Sequence, residues 1–337
     1  MSINHDYTVE KNTDLHVERT RKLRQLRQVF DRHAAQCQDV AFLPREIARR
    51  MHERLRYIKP QPAYVLDAGC GAGEDINILR TLYSKATIYG VDLSHAMLHA
   101  RHSLGRCSLS SWRRFLPAVL HNLALGRIQQ RNCIQADFSS LPFKSEYFNL
   151  LWSNLALQWH ECPDLVFLEW QRVLKTGGML IFSTLGPDTL RELRSARAAA
   201  DSGNSPTNVH KFIDMHDYGD MLAASGFEIP VIDMDILTIT YSSPHMLLAD
   251  VRLWGTIPQQ HIRRGHVLHS SISRSIYHRL IDALEVQRRP DGMIPLTFEV
   301  LYGYARKAVG HITPEGYNII RVDDIGHKLH DIPIKPS

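Results

Sequence analysis

The run Val65-Leu66-Asp67-Ala68-Gly69-Cys70-Gly71-Ala72-Gly73-Glu74 constrains what this chain can fold into more than any other stretch of it. A short apolar run, stopped by alternating glycines and followed by an Ile- and Leu-rich segment, reads as a buried strand, a tight turn and a helix. Glycines in such a turn let the backbone approach a ligand where a side chain would collide. The amides of the following helix N-terminus then face that ligand. The next strand, Thr87-Ile88-Tyr89-Gly90-Val91-Asp92, ends on an acid. At that place in an α/β sheet an acid accepts hydrogen bonds from ribose hydroxyls. A simple helix N-cap is the competing role for Asp92. A ribose-bearing ligand is expected here.

Two ligands compete for the loop. A dinucleotide fingerprint asks for Gly-x-Gly-x-x-Gly, and Glu74 stands where its third glycine would be. Asp67 adds a carboxylate just before the first glycine. A pyrophosphate would be repelled by both acids, whereas an ammonium or sulfonium would be attracted. That chemistry describes S-adenosylmethionine. Asp137 ends a third strand beside Phe138, so its carboxylate can accept from an adenine amino group while the ring packs on the base. A plain turn aspartate before Ser139-Ser140 is the alternative.

Around the loop, strands read at 64–68, 86–92, 131–137, 147–153 and 178–184, with helices between them at about 73–84, 94–103 and 162–174 and another after 187. This alternation predicts a parallel sheet with right-handed crossovers. Upstream, residues 1–28 are polar and read as a flexible N-terminal tail, with an amphipathic helix as the alternative. A helical pattern follows from Val29 to Arg56 and stops before Pro60 and Pro62. Residues 103–130 read as a surface insertion and 201–208 as a linker. A helix is expected near 214–225, a strand pair across 229–241 and helical material over about 244–288. The last strand is expected at Leu296–Arg306, and 307–337 as a C-terminal tail.

The chain carries 40 basic and 35 acidic residues, for a net charge of +5. That excess is too small to indicate nucleic acid by itself. No apolar run approaches a membrane span or a signal-peptide core. The five cysteines are widely spaced with no Cys-x-x-Cys pair. Free thiols in a reducing cytoplasm are therefore expected, without a metal site.

Asp67–Gly73, Val91-Asp92-Leu93-Ser94, Ala136-Asp137-Phe138 with Leu141-Pro142-Phe143, and Arg172–Gly178 follow, in order, the motifs of class I methyltransferases, which this chain resembles over about 64–185. The resemblance implies a Rossmann-like α/β fold. Its seven-stranded sheet is mostly parallel with the last strand antiparallel, and carries an N-terminal helix and a helical cap. The methyltransferase domain would run over 29–306, with the cap at 242–292. The cofactor set it implies is Asp67, Gly69, Gly71, Gly73, Asp92, Leu93, Met97, Asp137, Phe138, Ser153 and Asn154.

Trp152-Ser-Asn-Leu-Ala-Leu-Gln-Trp159 is similar to the signature of the malonyl-acyl-carrier-protein O-methyltransferases of biotin synthesis. Phe182–Leu193, Phe30–Ala35 and Pro295–Tyr302 extend that similarity to about 30–306. The chain departs from this family at Cys37, where a tyrosine is usual, and in the longer 103–130 insertion. The resemblance implies methylation of the free malonyl carboxylate on an acidic acyl carrier protein by a monomer, with no nucleic acid or membrane involved. Gln158 and Trp159 would line the transfer channel, Tyr302 its rim, and Arg252 would hold the carboxylate. Arg191, Arg194 and Arg197, or Arg113 and Arg114, are candidate docking patches. Gly186–Leu193 and His210–Gly219 also resemble the arginine-hydroxylase assembly factor of respiratory complex I. The cofactor motifs alone admit another small-molecule acceptor. A carboxylate acceptor is ionised at neutral pH, so no general base is required.

Overall fold

The computed structural model describes residues 4–37, 39–58, 60–100, 132–200, 212–254 and 274–308, with side chains for all of these except 4–17 and 56–58. The insertion at 103–130, the linker at 201–208, cap residues 255–273 and the tail from 309 lie outside the described residues. Seven strands form one sheet: β1 (Tyr64–Ala68), β2 (Thr87–Asp92), β3 (Cys133–Gln135), β4 (Phe148–Ser153), β5 (Leu174–Leu185), β6 (Phe227–Tyr241) and β7 (Ile294–Lys307). Their order is β3-β2-β1-β4-β5-β7-β6. Strands β1 to β5 pair in parallel, and β7 runs antiparallel between β5 and β6. This is the expected Rossmann-like methyltransferase sheet.

The helices are α1 (Asn4–His33), α2 (Phe42–Ile58), α3 (Glu74–Leu82), α4 (95–100), α5 (Pro163–Val173), α6 (Arg191–Ala200), α7 (Met215–Ala224), α8 (Pro244–Leu253) and α9 (Arg274–Glu285). Two apolar layers follow. On one face Ile47 and Met51 of α2, Ile76 and Leu79 of α3, Leu193 of α6 and Leu247 of α8 pack on the sheet. On the other, Phe167 and Trp170 of α5 and Tyr218 and Leu222 of α7 do so. Strands covered on both faces are nearly continuous apolar runs, as the β4 sequence Phe-Asn-Leu-Leu-Trp-Ser shows.

Three expectations are corrected. Residues 4–28, read as a flexible tail, lie within helix α1. Leu23, Leu26 and Phe30 recur at helical spacing and face a cavity, and such packing stabilises a helix whose own propensity would not. The pattern read as one helix over 29–56 is broken by turns at 34–37 and 39–41. Pro44 lies in the first turn of α2, where its missing N–H breaks no helical hydrogen bond. The strand pair expected across 229–241 is a single strand, β6, laddered along β7. Its register shift between Glu228 and Val231 accommodates Pro230, which has no N–H to contribute.

Gly303 of β7 faces the ring of Phe182, and a Cβ there would sit 2.1 Å from a ring carbon. Both residues are central in the sheet, so neither can retreat. Gly303→Ala should destabilise the fold by about 1–3 kcal/mol through overpacking. A lower midpoint in urea unfolding at unchanged slope is the expected result.

Candidate functional site

The glycine loop hangs from β2. Gly69 and Cys70 donate their amides to the Val91 carbonyl at 2.8 and 3.0 Å. The loop backbone is left-handed at Gly69 (φ 82°) and Gly71 (φ 50°), a region that excludes most side chains. A Cβ on Gly69 would also lie 2.3 Å from that of Ala156. Asp92 locks the arrangement. Its Oδ2 accepts from the Gly71 amide at 2.9 Å and its Oδ1 from the Ser94 amide at 2.8 Å. Burial pushes its pKa up to about 6, and the two amides oppose that rise. The carboxylate therefore serves the loop and still presents lone pairs to the cavity it lines.

Beside it, Asp137 accepts from the Ser139 amide at 2.8 Å, and Trp170 of α5 donates its indole N–H to the Phe138 carbonyl at 3.1 Å. The second bond ties Phe138, a wall residue, to the buried face of the sheet. At the end of β4 the buried Ser153 hydroxyl donates to the Ala68 carbonyl at 2.8 Å, stapling β4 to β1. Asn154 donates to the Pro44 carbonyl and accepts from the Ser183 hydroxyl. The backbone then turns through Leu155 (φ 49°) into a short 3-10 turn, Leu157–Trp159. That turn presents Gln158 and Trp159 to the cavity.

Helix α1 lies over this edge. Phe30 meets Trp159 edge-on, with ring centroids 5.2 Å apart. Arg19 donates to the Ser139 hydroxyl at 2.7 Å, and Lys22 pairs with Glu161 at 2.9 Å. Asp31 accepts from the Ser94 hydroxyl at 2.5 Å and the Ala96 amide at 3.2 Å, reaching the first turn of α4. A carboxylate there satisfies an amide that the helix itself cannot pair. From α2, Arg45 grips both oxygens of Glu74, at 2.9 and 2.7 Å.

Together these elements enclose a cavity of about 260 Å³. On the β1–β2 side its wall includes the glycine loop, Asp92, Leu93, Met97, Asp137 and Phe138. Toward β5 and β7 it includes Leu185, Trp254 and Phe298. Trp254 is pinned by its indole N–H to the Val40 carbonyl (2.9 Å) and meets Phe298 edge-on at 5.2 Å.

Among the residues expected at the site, Asp67, Gly69, Gly71, Asp92, Leu93, Met97, Asp137, Phe138, Asn154, Gln158 and Trp159 all line the cavity. Four others do not. Gly73 caps α3 behind the loop, and Ser153 is consumed by its staple to β1. Arg252 is exposed, because Leu247, Leu248 and Val251 turn the opposite face of α8 inward. Tyr302 is buried in β7 under the Arg54 guanidinium, 4.0 Å from its ring. Burial is the main reason its pKa rises to about 12. Arg194 of α6, a candidate docking residue, is engaged by the Thr189 and Pro187 carbonyls at 2.6 and 2.5 Å. Arg113 and Arg114 lie outside the described residues.

Sequence reasoning missed Leu23, Leu26, His33, Arg45, Asp75, His160 and Trp254, all of which line the cavity. Only the Leu23-Leu26-Phe30 spacing carried a local signal. Among the described residues, no cluster of His, Cys, Asp or Glu could hold a metal ion. No described helix is long and apolar enough to cross a membrane.

The residues present fit a nucleoside bearing a cationic amino acid. The loop admits no Cβ at Gly69, the acids Asp67, Asp75 and Asp92 converge on one cavity, and Asp67 Oδ2 is buried with no hydrogen-bond partner among the described residues. A dinucleotide pyrophosphate would face those acids unpaired.

Residues 66–182 match the family described as a methyltransferase domain. A malonyl-acyl-carrier-protein O-methyltransferase of Gallionella capsiferriformans is 40% identical over 298 residues, covering 88% of this chain and 94% of its own length. Its counterpart from Nitrosospira multiformis is 36% identical over 318 residues, covering 93% and 95%. A Bacillus halodurans protein of solved structure shares the fold, with a TM-score of 0.50 at 18% identity over 76% of this chain and 98% of that one.

Replacing Asp92 tests the centre of the site. Asp92→Asn should weaken S-adenosylhomocysteine binding about ten- to a hundredfold, the usual cost of losing a hydrogen bond to a charged group. Titration calorimetry reads this directly, and unchanged affinity would remove Asp92 from the ligand site.

Proposed function

The chain belongs to the malonyl-acyl-carrier-protein O-methyltransferases, and we propose that it transfers a methyl group from S-adenosylmethionine to the free carboxylate of malonyl-acyl-carrier protein, giving the methyl ester that starts biotin synthesis. The observation that carries this reading is the joining of two unlike walls in one cavity. Glycine loop and acids lie toward β1 and β2, and the apolar Leu185, Trp254 and Phe298 lie toward β5 and β7.

In this reading Asp92 accepts from the ribose hydroxyls. Asp137 accepts from the adenine amino group while the Phe138 ring packs on the base. Gly69 and Gly71 bring backbone against the ligand. When bound, the cofactor supplies a methyl on a sulfonium sulfur, an electrophile that an ionised carboxylate attacks without a general base. The chain's task is therefore alignment and exclusion of water. Trp159, wedged against Phe30, and Gln158, held by its amide to the Leu155 carbonyl at 2.7 Å, line the passage between the walls. Helix α1 keeps water out through Leu23, Leu26 and Phe30. Its seat on α4, through Asp31, sets that cover beside Asp92. An apolar acceptor wall strips water from the incoming carboxylate and so raises its reactivity.

Labelled S-adenosylmethionine incubated with malonyl-acyl-carrier protein, malonyl-CoA or free malonate should label the carrier-bound form best. No methyl ester on any of the three would refute the proposal, and restored biotin-independent growth of a strain lacking this step would support it. Arg252 lies outside the cavity wall, so Arg252→Ala should keep the methylation rate within about twofold, as for most surface substitutions. A large loss in that assay would return Arg252 to the acceptor site.

A further inference from the structure

The positive charge of this chain is unevenly placed. Residues 18–33 hold six of its 40 lysines and arginines but only two of its 35 acids, Glu18 and Asp31. They make up the second half of α1, and the two faces of that helix differ. Leu23, Leu26, Phe30 and His33 line the cavity. At 3.6 residues per turn Arg21, Arg24, Gln28 and Arg32 fall on the opposite side, and all four are exposed. Among the described residues the acids of this segment are taken by others, Glu18 by Lys22 and Asp31 by Arg27, so Arg21 and Arg24 meet no acid. Arg32 uses its Nε on the Gln28 carbonyl at 3.1 Å. The other arginine-rich helices are matched or consumed. On α2, Arg49 and Arg50 meet Glu46, and Arg54 meets Asp233. On α6, where docking residues were expected, Arg191 meets Glu192 and Arg194 is held by two carbonyls.

We infer that the outer ridge of α1, formed by Arg21, Arg24 and Arg32, is the surface on which the acidic carrier protein docks. The inference rests on the carrier-bound acceptor of the proposed function. A carrier presents its acyl group on a long flexible arm, so its body settles beside the cavity and not within it. The ridge stands about one helix diameter, about 10–12 Å, from the side chains that line the cavity. Arg19 and Lys22 fasten the same helix to Ser139 and Glu161, which fixes the ridge relative to the cavity. Guanidinium groups without an intramolecular acid keep their forked N–H donors for a partner's carboxylates. Other anionic surfaces fit less well. The apolar face of α1 is turned to the cavity, so it offers no apolar stripe to a membrane. A second copy of this chain would bring like charges together.

The test reverses the two arginines that meet no acid. Glu and Arg have similar helix propensity, so Arg21→Glu with Arg24→Glu should leave α1 helical. The KM for malonyl-acyl-carrier protein should rise about ten- to a hundredfold, because exposed interface charges act on association. The kcat at saturation and the affinity for S-adenosylhomocysteine should stay within about twofold, which also reports an intact cavity. The Lys double variant, which keeps the charge, should restore most of the KM. In the unaltered protein, raising the ionic strength from about 0.01 M to about 0.15 M should lower kcat/KM for the carrier at least about tenfold, and the Glu variant should lose that decline. An unchanged KM in the Glu variant, or an equal loss in the Lys variant, would overturn the inference. A parallel loss of S-adenosylhomocysteine affinity would do the same, since it would make the ridge a support of the cavity. A DNA duplex that binds the unaltered protein more tightly than the carrier does, and loses affinity in the Glu variant, would give the ridge to nucleic acid instead. No methyl ester on the carrier with the unaltered protein would overturn the acceptor reading itself. Ester formation with an unchanged KM in the variant would overturn the docking surface alone.

Discussion

The Asp92 carboxylate is the joint on which the site is assembled. One oxygen holds the Gly71 amide and the other the Ser94 amide, so a single side chain fixes the loop after β1 to the start of α4 after β2. Two adjacent parallel strands end there, and these bonds add to those the Val91 carbonyl accepts from Gly69 and Cys70. Because both amides donate to the charged form, the group resists the neutralisation that burial favours. The same carboxylate then faces the cavity, so the shape of the loop and the charge offered to the cavity are one electrostatic arrangement.

A second layer of organisation comes from the N-terminal helix, which is amphipathic toward the cavity and tied at several points. Asp31 bonds the α4 terminus, Arg19 bonds Ser139, Lys22 pairs with Glu161, and Phe30 packs on Trp159. The exposed Lys22–Glu161 pair contributes little energy by itself. The half-buried aromatic contact and the charge-assisted bonds of Asp31 are the stronger terms. The cover therefore touches both sides of the passage, at Ser94 and Ala96 after β2 and at the Gln158-Trp159 turn.

Much of the fold was legible because it is written in local patterns. Alternating strand and helix signals from Tyr64 to Leu185 located β1 to β5, and the motif resemblance implied the antiparallel last strand. The failures share one cause. The seat of α1 is made by chain more than a hundred residues away, at Ser139, Trp159 and Glu161. Whether 229–241 is one strand or two depends on β7, which runs beside it along its length. Arg252 resembles a substrate cation in sequence because it interrupts an apolar helix. In space it lies on the face that helix turns to solvent, with His245, Met246 and Ala249.

The sequence alone determined the class of fold and the class of cofactor. A glycine turn between a buried strand and a helix has few uses, and an acid at the end of the next strand narrows them further. Spacing of this kind is enforced by backbone sterics, which act locally and so can be read locally. Only the tertiary structure decided how charge is distributed among the acids around the loop. Asp67, Glu74 and Asp75 lie within nine residues of one another and all line the cavity, yet Asp67 is buried in β1 with its Oδ2 unpaired among the described residues, Glu74 is held by Arg45 and Asp75 accepts from the Trp152 indole. Burial and pairing of this kind arise from residues distant in sequence, and burial raises the carboxyls of Asp67 and Asp75.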